Sequence, residues 1–175
     1  PAADPRAAEP KRLGTAAEGW LVGAPEGVDW SVAGRGEEAG IGWIDLRFQG
    51  EAAEKTQLIV RFAGPKEIAA AEGQAFWLQV PLARAGGAVP DGSATLLVLG
   101  STKDDGGYVG TADATVASPV PGVLAAMHAG AKLVAVAGTG FVMPAVSIWM
   151  AHAGAVDLTL RIGTPRLSGV ARSWK

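Results

Sequence analysis

The chain has 175 residues, a mass of 17.7 kDa and a formal net charge of −2, the size of one domain with no basic surplus to grip nucleic acid. It contains no cysteine, which excludes disulfide frameworks, cysteine–zinc sites, iron–sulfur clusters and thiol catalysis. Hydrophobic residues make up 49%, yet aromatics only 6% and charged residues 18%, so the core is built mostly from small aliphatic side chains, and the 25 glycines and 11 prolines indicate many turns. No run of about 18 apolar residues is present, so no membrane-crossing helix is expected. The sequence opens on Pro1 rather than Met, which reads as a piece of a longer chain.

From the N-terminus, residues 1–12 hold three prolines and no large hydrophobe and read as a flexible tail or linker. The domain is expected over 13–167, and 168–175, where the pattern fades, as a C-terminal tail. Between these ends the main signal is period-2 alternation. In Ile44–Gln49 a strand sends Ile44, Leu46 and Phe48 inward and Asp45, Arg47 and Gln49 outward. Leu58–Phe62, Phe76–Leu82, Ala94–Leu99, Leu133–Ala137, Phe141–Met150 and Val156–Ile162 repeat the theme, the last with Val156, Leu158, Leu160 and Ile162 on one side. Turn signals divide them: Gly64-Pro65, Gly86-Gly87, Pro90-Asp91-Gly92, Asp104-Asp105-Gly106-Gly107, Gly138-Thr139-Gly140 and Gly154. Lys66–Glu72 has room for one helical turn, and Val123–Ala131 is read as strand. Seven or eight short strands with regular turns predict an all-β antiparallel sandwich.

Few motifs carry chemistry. Gly34-Arg35-Gly36-Glu37-Glu38-Ala39-Gly40 misses the dinucleotide spacing by one residue and leads into a strand, so it reads as a glycine-rich loop. There is no Gly-Lys-Ser/Thr and no Gly-x-Ser-x-Gly elbow. The two histidines, His128 and His152, have no partner pattern for a triad. Glycoside hydrolysis needs two carboxylates that meet only in the fold. Candidates are Glu37, Glu38, Asp45, Asp104, Asp105 and Asp157, though Asp45 and Asp157 beside Arg47 and Arg161 read more simply as cross-strand ion pairs. Asp104–Gly107 lacks the ligand series of an EF-hand and reads as a turn.

The aromatic set is skewed: six tryptophans against one tyrosine and four phenylalanines. With Phe76, Leu78 and Val80 inward, Trp77 and Gln79 face out. With Val146 and Ile148 inward, Ser147 and Trp149 face out. An outward indole flanked by an amide or hydroxyl suits a sugar, whose C–H face stacks on the ring while polar neighbours bond its hydroxyls. Trp77, Gln79, Trp149, Ser147 and the lone tyrosine, Tyr108, are the candidate glycan-binding residues. The competing reading has these indoles covered by a loop, a second sheet or a subunit. Trp20, Trp30 and Trp43 fall near loops and resist orientation.

Several segments, taken together, resemble phage head spike fibre domains of tailed phages and gene transfer agents. They are Gly34–Gly50, Ile68-Ala69-Ala70-Ala71-Glu72-Gly73-Gln74, Phe141-Val142 followed by Pro144, and the closing Val156-Asp157-Leu158-Thr159-Leu160-Arg161-Ile162-Gly163-Thr164-Pro165-Arg166-Leu167. Order and spacing agree over roughly Trp30 to Leu167, and no motif among them is catalytic. The resemblance implies a jelly-roll β-sandwich of about eight strands, similar to carbohydrate-binding modules. It would be carried on the surface of a phage-like particle and bind cell-surface polysaccharide. Implied partners are capsular polysaccharide and other spike or capsid subunits, with the domain a homo-oligomer in the particle. No cofactor is expected beyond, at most, one structural calcium ion, and neither nucleic acid nor membrane insertion. Two alternatives stand beside this non-enzymatic reading: a purely structural decoration or oligomerisation domain, and a glycan depolymerase.

Overall fold

The computed structural model describes residues 11–12, 20–64, 66–105, 107–116, 119, 121–131 and 138–171. Among them are twelve strands and no helix. In chain order they are β1 (Lys11–Arg12), β2 (Leu21–Gly23), β3 (Val28–Glu38), β4 (Ile41–Ala52), β5 (Thr56–Arg61) and β6 (Gln74–Ala88), followed by β7 (Ala94–Thr102), β8 (Tyr108–Val116), β9 (Ala125–Ala131), β10 (Phe141–Met150), β11 (Gly154–Gly163) and β12 (Arg166–Ala171). Sheet A runs β1-β2-β5-β10-β7-β8, and sheet B runs β12-β6-β11-β4-β3 with β9 also on β6. Every pairing of these strands is antiparallel. The chain crosses from sheet to sheet at β3, β5, β6, β7, β9, β10 and β11, and the result is an all-β jelly-roll sandwich.

One core lies between the sheets. Sheet B contributes Leu46, Phe48, Phe76, Leu78, Val80, Leu82, Val156, Leu158, Leu160 and Ile162; sheet A contributes Val22, Leu58, Val60, Leu97, Leu99, Val142, Val146, Ile148 and Met150. Each fully buried Leu, Ile or Phe contributes about 1.5–3 kcal/mol of transfer free energy. The alternation predicted for β4, β6 and β11 sets the core face: Leu160 is 1% exposed and Ile162 0%, while Asp157 and Arg161 take the outer face; Asp45, expected to meet water there, is 8% exposed because the Arg161 guanidinium lies on its carboxylate.

Sheet B hinges on β6, whose fifteen residues serve three partners. On one edge lies β9. On the other, Leu82 pairs with Ile162 of β11 and Gln79 pairs with Arg166 of β12. Thus β11 and β12 are two parts of one line, interrupted at Thr164-Pro165, where proline cannot donate to a ladder. Thr164 instead donates from both backbone N and Oγ1 to the Gly42 carbonyl, at 3.0 and 3.2 Å.

Several expectations need correcting. The chain does not end its pattern at Leu167: β12 continues to Ala171, and Lys11–Arg12, placed in the tail by composition, pair with β2. Gly34–Gly40 is not a loop. Gly34 and Gly36 lie within β3, and Ala39-Gly40, both at positive φ (50° and 76°), form the two-residue hairpin turn into β4. Gly86-Gly87 is not a turn either but an irregularity inside β6, opposite the register shift at Thr159/Leu160. Lys66–Glu72 forms a turn and an isolated bridge, Ala69–Phe141, rather than a helical turn. Val123–Ala131 is strand from Ala125 on. The expected strand Leu133–Ala137 lies outside the described residues.

Gly87 combines φ +75° with a Cβ direction that runs into the backbone carbonyl of Asp157, so no side chain fits. Gly92 has a similar φ, +77°, but open space around it. Gly87→Ala is therefore expected to lower the unfolding free energy by about 2–4 kcal/mol and Gly92→Ala by only about 1 kcal/mol, read from urea midpoints at constant m-value.

Candidate functional site

The pleat of β6 builds the most exposed tryptophan position among the described residues. Phe76, Leu78 and Val80 are fixed in the core at 3%, 1% and 0% exposure, so Trp77 and Gln79 must project from the outer face of sheet B. Trp77 is 45% exposed. Its cross-strand partner on β12 is Ser168, and that of Gln79 is Arg166. Directly opposed residues share a face, with Cβ atoms about 4.5–5.5 Å apart. Ser168 and Arg166 are both exposed, while Leu167 between them turns inward to the core. Gln79 is half-buried and already makes an interaction within the protein. The patch therefore presents one indole face, a hydroxyl, an amide and a guanidinium. The sequence pointed to Trp77 and Gln79. It did not point to Arg166 and Ser168, because the expected domain stopped at Leu167; the Arg-Leu-Ser alternation was the available signal.

Further along the same face a second aromatic is occupied by the protein itself. Trp43 on β4 lies over Gly36 of β3, where a Cβ would meet the indole at 2.5 Å. The Arg161 guanidinium stacks 3.6 Å from the ring centroid of Trp43. The same guanidinium donates to both carboxylate oxygens of Asp45, at 2.8 and 3.0 Å, and approaches Glu38 at 3.8 Å. The Asp45 bonds hold Arg161 above the ordinary arginine range, in spite of partial desolvation. Gly34 and Gly36 are thus the floor under an indole, which gives the glycine-rich segment its structural meaning.

The remaining candidates lie on the other sheet. Trp149, Ser147 and Tyr108 belong to β10 and β8 of sheet A, so Trp77 and Trp149 stand on opposite sides of the sandwich and cannot share a ligand. Ser147 was expected to face water. It sits on the outer side of its sheet but is 1% exposed, and its hydroxyl donates to Gln57 Oε1 at 2.9 Å. The reason is crowding: Gln57 and Ile59 of β5 are themselves 6% and 7% exposed on that side, so a small hydroxyl between larger neighbours is covered. Trp149 is half-buried, with the Lys55 ammonium 5.8 Å from its ring centroid. Tyr108, at the start of edge strand β8, is 54% exposed. On β5 of the same sheet, burial draws the Arg61 guanidinium below its usual value. Of the tryptophans that were hard to orient, Trp20 packs edge-on against Phe62 at 4.9 Å and Trp30 packs against the core.

Three of the carboxylates on sheet B, Asp45, Asp157 and Glu38, lie against arginines. Asp45 faces Arg161 directly across β4 and β11, and Asp157 reaches Arg47 diagonally at 3.2 Å, as the alternating charges predicted. Asp104 and Asp105 lie in a turn, as expected: Gly107 N donates to Asp105 Oδ1 at 2.8 Å and Lys103 N to the Gly107 carbonyl at 2.8 Å. Among the described residues no three His, Asp or Glu side chains gather to hold a metal ion. His152 is exposed in the bend between β10 and β11.

The two arginine pairs should differ in weight. The Arg161 and Asp45 side chains are 24% and 12% exposed, those of Arg47 and Asp157 43% and 63%. Arg161→Lys loses the fork and the stacked plane and is expected to cost about 1.5–3 kcal/mol, whereas Arg47→Lys should cost under about 0.5 kcal/mol, both by chemical denaturation.

No family model and no curated protein matches the chain. Among solved structures, it is similar to a carbohydrate-binding module described under "CBM4 structure and function", with a TM-score of 0.46 and 16% identity over 87% of this chain and 96% of that one. It is also similar to TmCBM61, solved in complex with beta-1,4-galactotriose, with a TM-score of 0.38 and 13% identity over 85% of this chain and 87% of that one.

Proposed function

We propose that the domain is a non-catalytic glycan-binding module whose contact point is the outer face of sheet B around Trp77. The observation that carries this reading is the 45% exposure of Trp77 on a rigid central strand, beside Ser168, Gln79 and Arg166. An indole held by its backbone on both edges offers a pre-ordered apolar plane, and its flanking polar groups suit sugar hydroxyls. The non-catalytic reading is supported by the placement of these acids: Asp45, Asp157 and Glu38 each lie against an arginine of the protein rather than facing one another as a free pair across a groove.

The resemblance to phage head spike fibre domains supplies the setting of the proposal: a spike on a phage or gene transfer agent particle, exposed outside the cell after release, that binds capsular polysaccharide. One shallow aromatic site gives weak monomer affinity, and many copies on a particle convert it into firm attachment. A structural decoration role would instead place the sheet B face between subunits. Solution mass separates the two, since an oligomer that hides Trp77 leaves the sugar without its platform.

Trp77→Ala is expected to weaken binding to host capsule by roughly tenfold, about 1.4 kcal/mol, while Trp149→Ala leaves it within twofold. Calorimetry or pull-down with purified capsular polysaccharide reads both. Failure of the wild-type domain and of a multimerised form to bind capsule contradicts the proposal.

A further inference from the structure

Resting on the glycan-binding reading above, we infer that the polysaccharide is acidic and that Arg166 receives its carboxylate. The outer face of sheet B carries three arginines at outward positions of adjoining strands: Arg47 on β4, Arg161 on β11 and Arg166 on β12. Two are satisfied by the protein. Arg47 pairs with Asp157, and Arg161 is held by Asp45 and Glu38 as well as stacked on Trp43. Arg166 is exposed and has no ion pair among the described residues. It is also the one placed next to the exposed indole, one cross-strand step and two residues from Trp77.

The other two arginines at these outward positions, Arg47 and Arg161, each meet an acid across the strands. At Arg166 the position across the ladder is Gln79, an amide, and at Ser168 it is Trp77. A guanidinium presents a planar pair of N–H donors that fits a carboxylate in two parallel hydrogen bonds. Arg166 stands one residue pair from Trp77, so a carboxylate on a sugar ring stacked on that indole, or on the next ring, falls within the sweep of its side chain. Uronic-acid chains carry that group on the ring, with hydroxyls left for Ser168.

The test uses the full chain and a panel of uronate-bearing capsular polysaccharides, each paired with its carboxyl-reduced form, by calorimetry at low and high salt. The expected result is binding to at least one native polymer that weakens roughly tenfold on carboxyl reduction and falls with added salt. Arg166→Gln should lower affinity for the native polymer to that of the reduced one and remove the salt dependence. Trp77→Ala should weaken binding to both forms. Equal wild-type affinity for native and reduced polymer, or an unchanged profile in Arg166→Gln, overturns the inference and leaves the Trp77 site standing. No loss in Trp77→Ala, or no binding to any polymer, overturns the glycan-binding reading with it. Circular dichroism of each variant confirms the fold is kept, and Arg166→Lys, which keeps the charge without the fork, should recover only part of the affinity.

Discussion

The pleat of β6 against a single shared core is the constraint on which the rest depends. With Phe76, Leu78, Val80 and Leu82 sealed between the sheets, every odd position of that stretch is committed to the outer face. A slip of one residue would exchange a buried phenylalanine for an indole and place Gln79 in the core, a loss of several kcal/mol in transfer and desolvation terms. The strand is further pinned by partners on both edges, β9 on one and the β11–β12 line on the other. The position of Trp77 is therefore set by core packing, not by loop conformation, and a rigid platform follows from ordinary sheet physics.

The two sides of the sandwich differ in how they use aromatic and charged residues. On sheet A the outward tryptophan is half-buried, and the serine beside it is consumed by a bond to Gln57. On sheet B one end is an internally satisfied cluster, in which Gly36, Trp43, Arg161 and Asp45 stack and pair with each other, and the other end leaves an indole and a guanidinium to solvent. A face that neutralises its charges in one place and not in another has a direction, and that asymmetry singles out the β6–β12 end.

Much of this was legible in the chain. Strict alternation in β4 and β11 announced both the core faces and the ion pairs between Asp45, Arg47, Asp157 and Arg161, because period 2 is a local property. The orientation of Trp77 followed from the same rule. What was not legible depended on distant neighbours. Ser147 obeys the alternation yet is buried, since exposure depends on the size of Gln57 and Ile59 on the next strand. Trp77 and Trp149 look alike in sequence but belong to different sheets, which strand order alone decides. Gly34, Gly36, Gly86 and Gly87 read as loops because glycine marks turns, whereas all four lie inside strands, where Gly36 makes room for an indole and Gly87 for a neighbouring backbone. Strand β12 was missed because Thr164-Pro165 looks like a terminator and is only an interruption.

The central claim is that ligand stacks on Trp77. It is tested most directly by two-dimensional NMR of the tryptophan indole N–H groups during titration with oligosaccharide prepared from a capsule the domain binds, the signals assigned by single Trp→Phe substitutions. The account predicts a saturable shift of the Trp77 indole signal with that of Trp149 unmoved. A shift at Trp149 with none at Trp77 would contradict it.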